Sequence, residues 1–538
     1  MTVFDHIIVG AGSAGCVLAE RLSRDPRRRV LLLEAGGSDR RLRVQMPIGY
    51  GLSFYDRSLN WMLRTEPDPG LDGRQGYWPR GKVLGGSGAI NAMVFVRGQP
   101  EDFDHWRDQG NPGWGWSDVL PVFRRMECFS GGADPWRGGD GPLQVADVSS
   151  DVHPLCQNYL QAGAQLGLPV NRGFNGASCE GLGLFEITVH GGRRVSTARA
   201  YLRPAMSRAN LRVLTHAAAT RIVFEGRRAT GVAYRRGGQL LRAQATREVI
   251  LCAGAVHSPL LLQASGVGPG PLLQQLGITP VHDSPAVGRH LQDHLCVDHL
   301  YRSRVPTLND ELRPWAGRAR AAWRYLTTRR GPLAMSVNQG GGFVRIDPAA
   351  TRPDVQLYFS PLSYTRAPPG VRPLMSPDPF PGFLLSVQPC RPASRGALRL
   401  RTPDPSDAPV IEPGSLSAPG DLELLVDASM WLRRLAATPA LAAVIDAELA
   451  PGPEVRTRED FVADARRRAG TVYHPVGTCR MGPDPAQAVV DARLRVHGVH
   501  HLRVVDASVF PAITSGNTQA PTIMVAEKGA DLVLEDER

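Results

Sequence analysis

The sequence predicts an α/β protein, α+β overall, in which a mainly parallel sheet is assembled from distant segments and an antiparallel lobe is interleaved with it. Three observations carry this expectation. The chain opens on a strand–turn–helix–strand unit, further apolar strand patterns recur far downstream, and the long middle holds alternating strand patterns of a different kind. At 538 residues the chain exceeds one simple core, so two lobes are expected.

The elements follow in order. VFDHIIV (3–9) reads as a buried strand, GAGSAG (10–15) as a turn, SAGCVLAERLSRD as an amphipathic helix and RVLLLEAG as a second strand. LRVLT (211–215), REVILCAG (247–254) and LRVVDAS (502–508) can add strands to the same sheet. DVQLYFS (354–360), GFLLSVQP (382–389) and a helix over DLELLVDASMWLRRLAAT (421–438) suit the second lobe. RAPPGVRPLMSPDPFPG (366–382) has six prolines in seventeen residues, which predicts a stiff irregular loop, either covering a cavity or simply a surface excursion.

Composition excludes several function classes. The net charge is +11, yet only Lys82 and Lys528 of the 62 basic residues are lysines, and the arginines are dispersed beside acids without interleaved aromatics. That pattern reads as solvated faces, so no nucleic-acid partner is expected. The eight cysteines never form C-x-x-C, which points to reduced thiols and no structural zinc. MTVFDHIIVGAG enters a strand pattern without a basic leader, and no apolar run reaches ~20 residues. A soluble, cytoplasmic protein with no integral membrane segment is expected.

Gly10, Gly12 and Gly15 form G-x-G-x-x-G between strand and helix, where absent side chains admit a pyrophosphate to the helix N-terminus. Glu34 closes the second strand nineteen residues after Gly15, placed to accept from both hydroxyls of an adenosine ribose. A carboxylate there disfavours a 2′-phosphate, leaving FAD or NAD. His474, in TVYHPVGTCRMG, could be a metal ligand, one half of a thiol pair with Cys479, a proton acceptor or a packed ring. RHLQDHL (289–295) places His290 and His294 one helical turn apart if it is helical, a spacing that can hold a metal, but the Glu of H-E-x-x-H is missing and no metal is expected.

RGKVLGGSGAINAMVFVRG (80–98) and GAVHSPLLLQASGVG (254–268), with the glycine turn and YHPVGTCRMG, resemble the glucose–methanol–choline (GMC) oxidoreductases, FAD enzymes that oxidise alcohols, in their choline/alcohol dehydrogenase-like branch. The resemblance implies a Rossmann-like FAD-binding domain over residues 1–155, 195–300 and 470–538, and a substrate-binding domain over 156–194 and 301–469. It implies oxidation of a primary alcohol to the aldehyde, with a flavin-containing non-redox lyase as the alternative on this fold. Oxygen, or a quinone or dye, would take the electrons.

By the same resemblance His474 is the active-site base and Asn517 its partner, with Tyr473 lining the substrate cavity. Oxidation of an alcohol requires a base within reach of the hydroxyl proton, and imidazole suits that task. Cofactor contacts are implied at Gly10, Gly12, Ser13, Ala14, Gly15, Glu34 and Ala35; at Arg80, Gly81, Val83, Gly86, Ser87, Asn91, Ala92, Met93 and Val94; and at Ala219, Ala253, Asp506, Ala507, Asn517 and Thr518. Some choline-oxidising relatives carry a flavin-linked histidine just before the Asn91 position; Ile90 stands there, so the FAD is expected to be noncovalent. The segment after Asn517 has helical spacing with Pro521 in its first turn, which would direct a positive helix end at the flavin. Cys479 is expected to pack.

Overall fold

Thr2–Val9, Val30–Leu33 and Leu211–Leu214 lie parallel; Val30–Leu33 and His6–Val9 at the centre are buried on both faces and must be covered on both sides, while Leu211–Leu214 at the sheet edge exposes Arg212. The structure is a computed structural model, and it describes residues 2–364 and 376–538. Ile7 and Ile8 sit between Leu31 and Leu32 on one side and Val249 and Ile250 on the other. Gln239–Leu251 is long enough to serve two purposes. Its first half pairs antiparallel with Arg228–Arg236, which carries Ala218–Glu225, while its second half takes Leu502–Val504 in parallel. This seven-stranded sheet thus draws on three distant parts of the chain.

Helix Ser13–Leu22 and the last helix, Gln519–Asp536, share the core on this sheet, with Val17, Leu18, Ile523 and Val525 fully buried. Arg21 ties them by pairing with Glu527 and, at 2.5 Å, Asp531. LRVVDAS yields a strand only to Val504, since Asp506 caps a 3-10 turn over Ala507–Val509.

The second sheet has eight strands, in the order Ile445–Ala450, Leu295–Ser303, Gly382–Pro389, Val355–Ser360, Gly340–Val344, Gly181–Leu184 and Val170–Asn171, with Gly470–Thr471 also on Leu295–Ser303. Every pair is antiparallel except the last two strands of that order. Helix Pro419–Ala436 lays Leu425 and Leu432 on this sheet in a core with Leu357 and Leu385. Strand Leu295–Ser303 straddles the boundary expected at residue 300.

RHLQDHL is not helical: Leu291 bridges Gly396, Gln292 bridges Val476, and His290 has φ +60°. His290 and His294 therefore do not share a helix face, because pairing to flanking backbone outcompetes a local helix. Residues 365–375 of the proline-rich stretch lie outside the described residues.

Candidate active site

The glycine turn is a backbone construction. Gly10 has φ +98°, and a Cβ there would stand 2.6 Å from the Cys252 carbonyl oxygen. A Cβ on Gly15 would meet the Gly10 carbonyl oxygen at 1.9 Å, so Gly15 lets the helix pass beneath the turn. A second glycine loop closes on the first: Gly85 N donates to the Ala11 carbonyl at 2.7 Å, and a Cβ on Gly86 would lie 2.7 Å from the Gly12 Cα. Glu34 Oε2 accepts from Ala11 N (2.9 Å) and Oε1 from Gly36 N (2.7 Å). Burial pushes its pKa up to about 7. A carboxylate offers about four acceptor positions, so two remain for a ligand.

One cleft runs from this turn to His474. It is lined by Gly10, Gly12, Ser13, Ala14, Glu34, Ala35, Arg80, Gly81, Gly86, Ser87, Asn91, Ala92, Met93 and Val94, then by Ala219, Ala253, Tyr473, His474, Asp506, Ala507, Asn517 and Thr518. Gly15 and Val83, both expected to touch the cofactor, do not line it: Gly15 packs under the turn and Val83 is fully buried beside Gly37. Asn91 has its side chain committed within the protein. Its carbonyl accepts from Met93 N (3.0 Å) and Arg194 Nη1 (2.7 Å), and its amide donates to Gln519 Oε1. Asp506 is likewise engaged, accepting from Gly254 N (2.8 Å), Ser258 Oγ (2.6 Å) and Ser508 N (2.8 Å). Burial raises its pKa.

The cleft suits FAD on two further observations. A Cβ on Gly12 would meet only the Cys252 carbonyl oxygen, at 3.8 Å, so the turn leaves open space there. Gln519 Nε2, buried in the cleft wall at the start of the last helix, has no protein acceptor.

At the other end the side chains meet. His294 Nε2 lies 2.9 Å from the Cys390 carbonyl, His294 Nδ1 lies 3.0 Å from His474 Nδ1, and His474 Nε2 lies 3.2 Å from Asn517 Nδ2. Proton positions follow from the partners. A carbonyl only accepts, so His294 Nε2 carries the proton and its Nδ1 accepts; His474 Nδ1–H must then donate, which leaves the His474 lone pair on Nε2. The Asn517 amide is oriented independently, because its Oδ1 accepts from Gln356 Nε2 (3.3 Å), and Gln356 Oε1 accepts from Gln388 Nε2 (2.8 Å).

Backbone clamps hold this line in place. Asp293 Oδ1 accepts from His474 N (2.8 Å) and His294 N (3.0 Å), while Oδ2 accepts from Thr471 Oγ1. Arg80 Nη2 donates to the carbonyl of Tyr473 (2.8 Å), whose φ is +71°. A non-glycine residue persists at such a φ only where its surroundings over-determine it. Tyr473 also sets its ring edge-on against Phe54 at 5.4 Å. Burial, aided by His294 and Arg80, pushes the His474 pKa well below 6.5. Burial pushes His294 down to about 4 and Asp293 up to about 6.

Cys479 is buried in the first core, and burial raises its thiol. Among the described residues no group of three or more potential ligands could hold a metal. Sequence reasoning missed Asp293 and weighed His294 only as a metal ligand paired with His290; strand alternation, which puts His294, Cys296 and Asp298 on one face, was the available signal. Gln356, Gln388 and the Cys390 carbonyl gave no signal at all.

Comparison with known proteins agrees with this geometry. Two family models for GMC oxidoreductases match residues 4–296 and 392–526. The chain is 41% identical to an alcohol dehydrogenase [acceptor] from Pseudomonas putida, over 99% of this chain and 96% of that one. It is 42% identical to the mitochondrial choline dehydrogenase of Homo sapiens, over 98% and 89%. Among solved structures, pyridoxine 4-oxidase from Mesorbium loti superposes with a TM-score of 0.88 at 33% identity, covering 98% of both chains.

Proposed function

Since the chain belongs to the GMC oxidoreductase family and is an FAD-dependent oxidoreductase acting on CH–OH donors, we propose that it converts a primary alcohol to the aldehyde with His474 as base and Asn517 as oxygen-binding partner. The observation that carries this reading is the pair of opposed hydrogen bonds on His474, which set its lone pair on Nε2 beside the Asn517 amide. The substrate hydroxyl gives its proton to Nε2, and Asn517 Nδ2 donates to the oxygen as negative charge develops there. The depressed pKa keeps His474 unprotonated and ready at neutral pH. His294 acts as a positioning residue for the imidazole, and Gln356 for the carboxamide.

Bound along the cleft, FAD would supply the two-electron acceptor for the carbinol hydrogen. Gly10, Gly12 and Ser13 at the first helix N-terminus would hold its pyrophosphate, and Glu34 its ribose. The last helix begins at the cleft with Thr518 as N-cap, so its positive end favours negative charge on the cofactor. Oxygen, or a quinone or dye, would be the final electron acceptor. The eight free cysteines support a reducing, cytoplasmic setting, and among the described residues no helix is long and apolar enough to cross a membrane.

The test is anaerobic bleaching of the flavin absorbance by a panel of primary alcohols, including choline and a neutral aliphatic alcohol. His474→Ala should slow it by ~10²–10⁴. Wild-type bleaching rates in that variant would remove His474 from the role, and turnover with the flavin still oxidised would indicate lyase chemistry.

A further inference from the structure

Helix Trp315–Thr328 stands out because its outward face is apolar. Trp315 is 78% exposed, Trp323 68% and Leu326 62%. With Ala319 they recur at spacings of four, four and three, which at 100° per residue is one straight stripe along the helix. Arg318 and Arg320, both exposed, border the stripe on either side. From Arg313 to Arg330 the sequence carries six arginines and no carboxylate. The acids around it are few: Asp310 and Glu311 precede it, and Asp151 lies 3.9 Å from both Arg324 and Arg330. The inner face is anchored, since Ala321 and Tyr325 are buried and Ala321 packs with Leu308, Leu312 and Leu362.

Single exposed apolar residues are ordinary on a protein surface, whereas two tryptophans and a leucine in line are a patch. Arginines flanking that patch rule out neutral apolar cover as the best match. A stripe of indole rings bordered by cations fits an interface that is apolar below and anionic at its surface. We propose that this helix docks the protein on the surface of an anionic lipid bilayer, lying in the headgroup plane with Trp315, Trp323 and Leu326 inserted. The placement has a use. Tyr364 packs on the same Leu362 cluster and also lines the cleft, so docking would bring one cleft wall next to the lipid, where apolar alcohols and quinones concentrate.

Sedimentation of the holoenzyme with vesicles tests this. Vesicles of equal parts phosphatidylglycerol and phosphatidylcholine should carry the wild type down at low salt and release it at high salt, while pure phosphatidylcholine should not bind. Trp323→Ala should weaken binding about tenfold, and Arg318→Ala or Arg320→Ala about fivefold each. All three should keep wild-type alcohol turnover with a soluble dye, which shows that they are folded. The proposal is overturned if the wild type ignores phosphatidylglycerol, if binding is indifferent to these substitutions, or if Trp323→Ala instead abolishes a self-association seen by light scattering, which would assign the stripe to a second copy.

Discussion

The two ends of the cleft are built on opposite principles. At the nucleotide end the work is done by what is missing: glycines at 10, 15 and 86 let three backbone segments touch, and Glu34 ties the turn to its own strand end through the Ala11 and Gly36 amides. At the His474 end it is done by side chains from residues 293, 294, 356, 474 and 517, held in line with the Cys390 backbone carbonyl. At the first end Gly10, Gly15 and Gly86 leave no room for an added carbon, and the second end tolerates no lost partner. Crowding should therefore destroy the fold at one end, whereas deletion should spare the fold and remove the chemistry at the other.

The largest effect expected is at the turn. Gly15→Ala puts a carbon 1.9 Å from a carbonyl oxygen and should abolish soluble, yellow protein, seen as loss of expression and of bound flavin. Gly12→Ala is the contrast: with 3.8 Å of clearance its apoprotein should melt as the wild type does, and any loss should fall on FAD affinity, read by titration of the apoprotein. If both variants fail to fold, the distinction between packing and cofactor glycines collapses.

At the other end, Asn517→Ala should lower the rate of flavin reduction by ~10² or more with melting temperature nearly unchanged, since it removes one donor to the developing oxyanion. His294→Leu leaves His474 Nδ1–H without its acceptor and should cost about fivefold, the rate equivalent of one hydrogen bond of ~1 kcal/mol. His294→Asn, which can still accept, should recover part of that loss.

The smallest effect is on pH. His474 must be unprotonated to act and its pKa is depressed, so kcat/KM should stay high as pH falls through 6.5 and decline only below it. In stability the same groups work in the same direction. His294 and His474 are held neutral in the fold but would bind protons when unfolded, so their contribution is present above ~6.5 and is lost as pH drops.

Legibility in the sequence follows the same division. The glycine turn and Glu34 could be read because strand, turn and helix are contiguous and the spacing itself is the mechanism. The seven-stranded sheet was visible as isolated apolar runs, although their order needed the structure. His474 and Asn517 were reached through family resemblance, and the structure shows what periodicity could not: the motif around His294 pairs with flanking backbone, so a helical spacing had no meaning there. Asn91 and Asp506 make a subtler case. Sequence shows that a carboxamide or carboxylate has bonding capacity, but not that Met93, Arg194, Gly254 and Ser508 consume it.

Gln356 and Gln388 belong to the antiparallel lobe, the part of the chain where motif resemblance is weakest, yet they fix the amide that faces His474. Selectivity and turnover are thereby geared together. Re-cutting strands Val355–Ser360 and Gly382–Pro389 to admit a bulkier alcohol would also loosen the carboxamide that steadies its oxygen, so a broadened enzyme should emerge slower unless those two glutamines are left untouched.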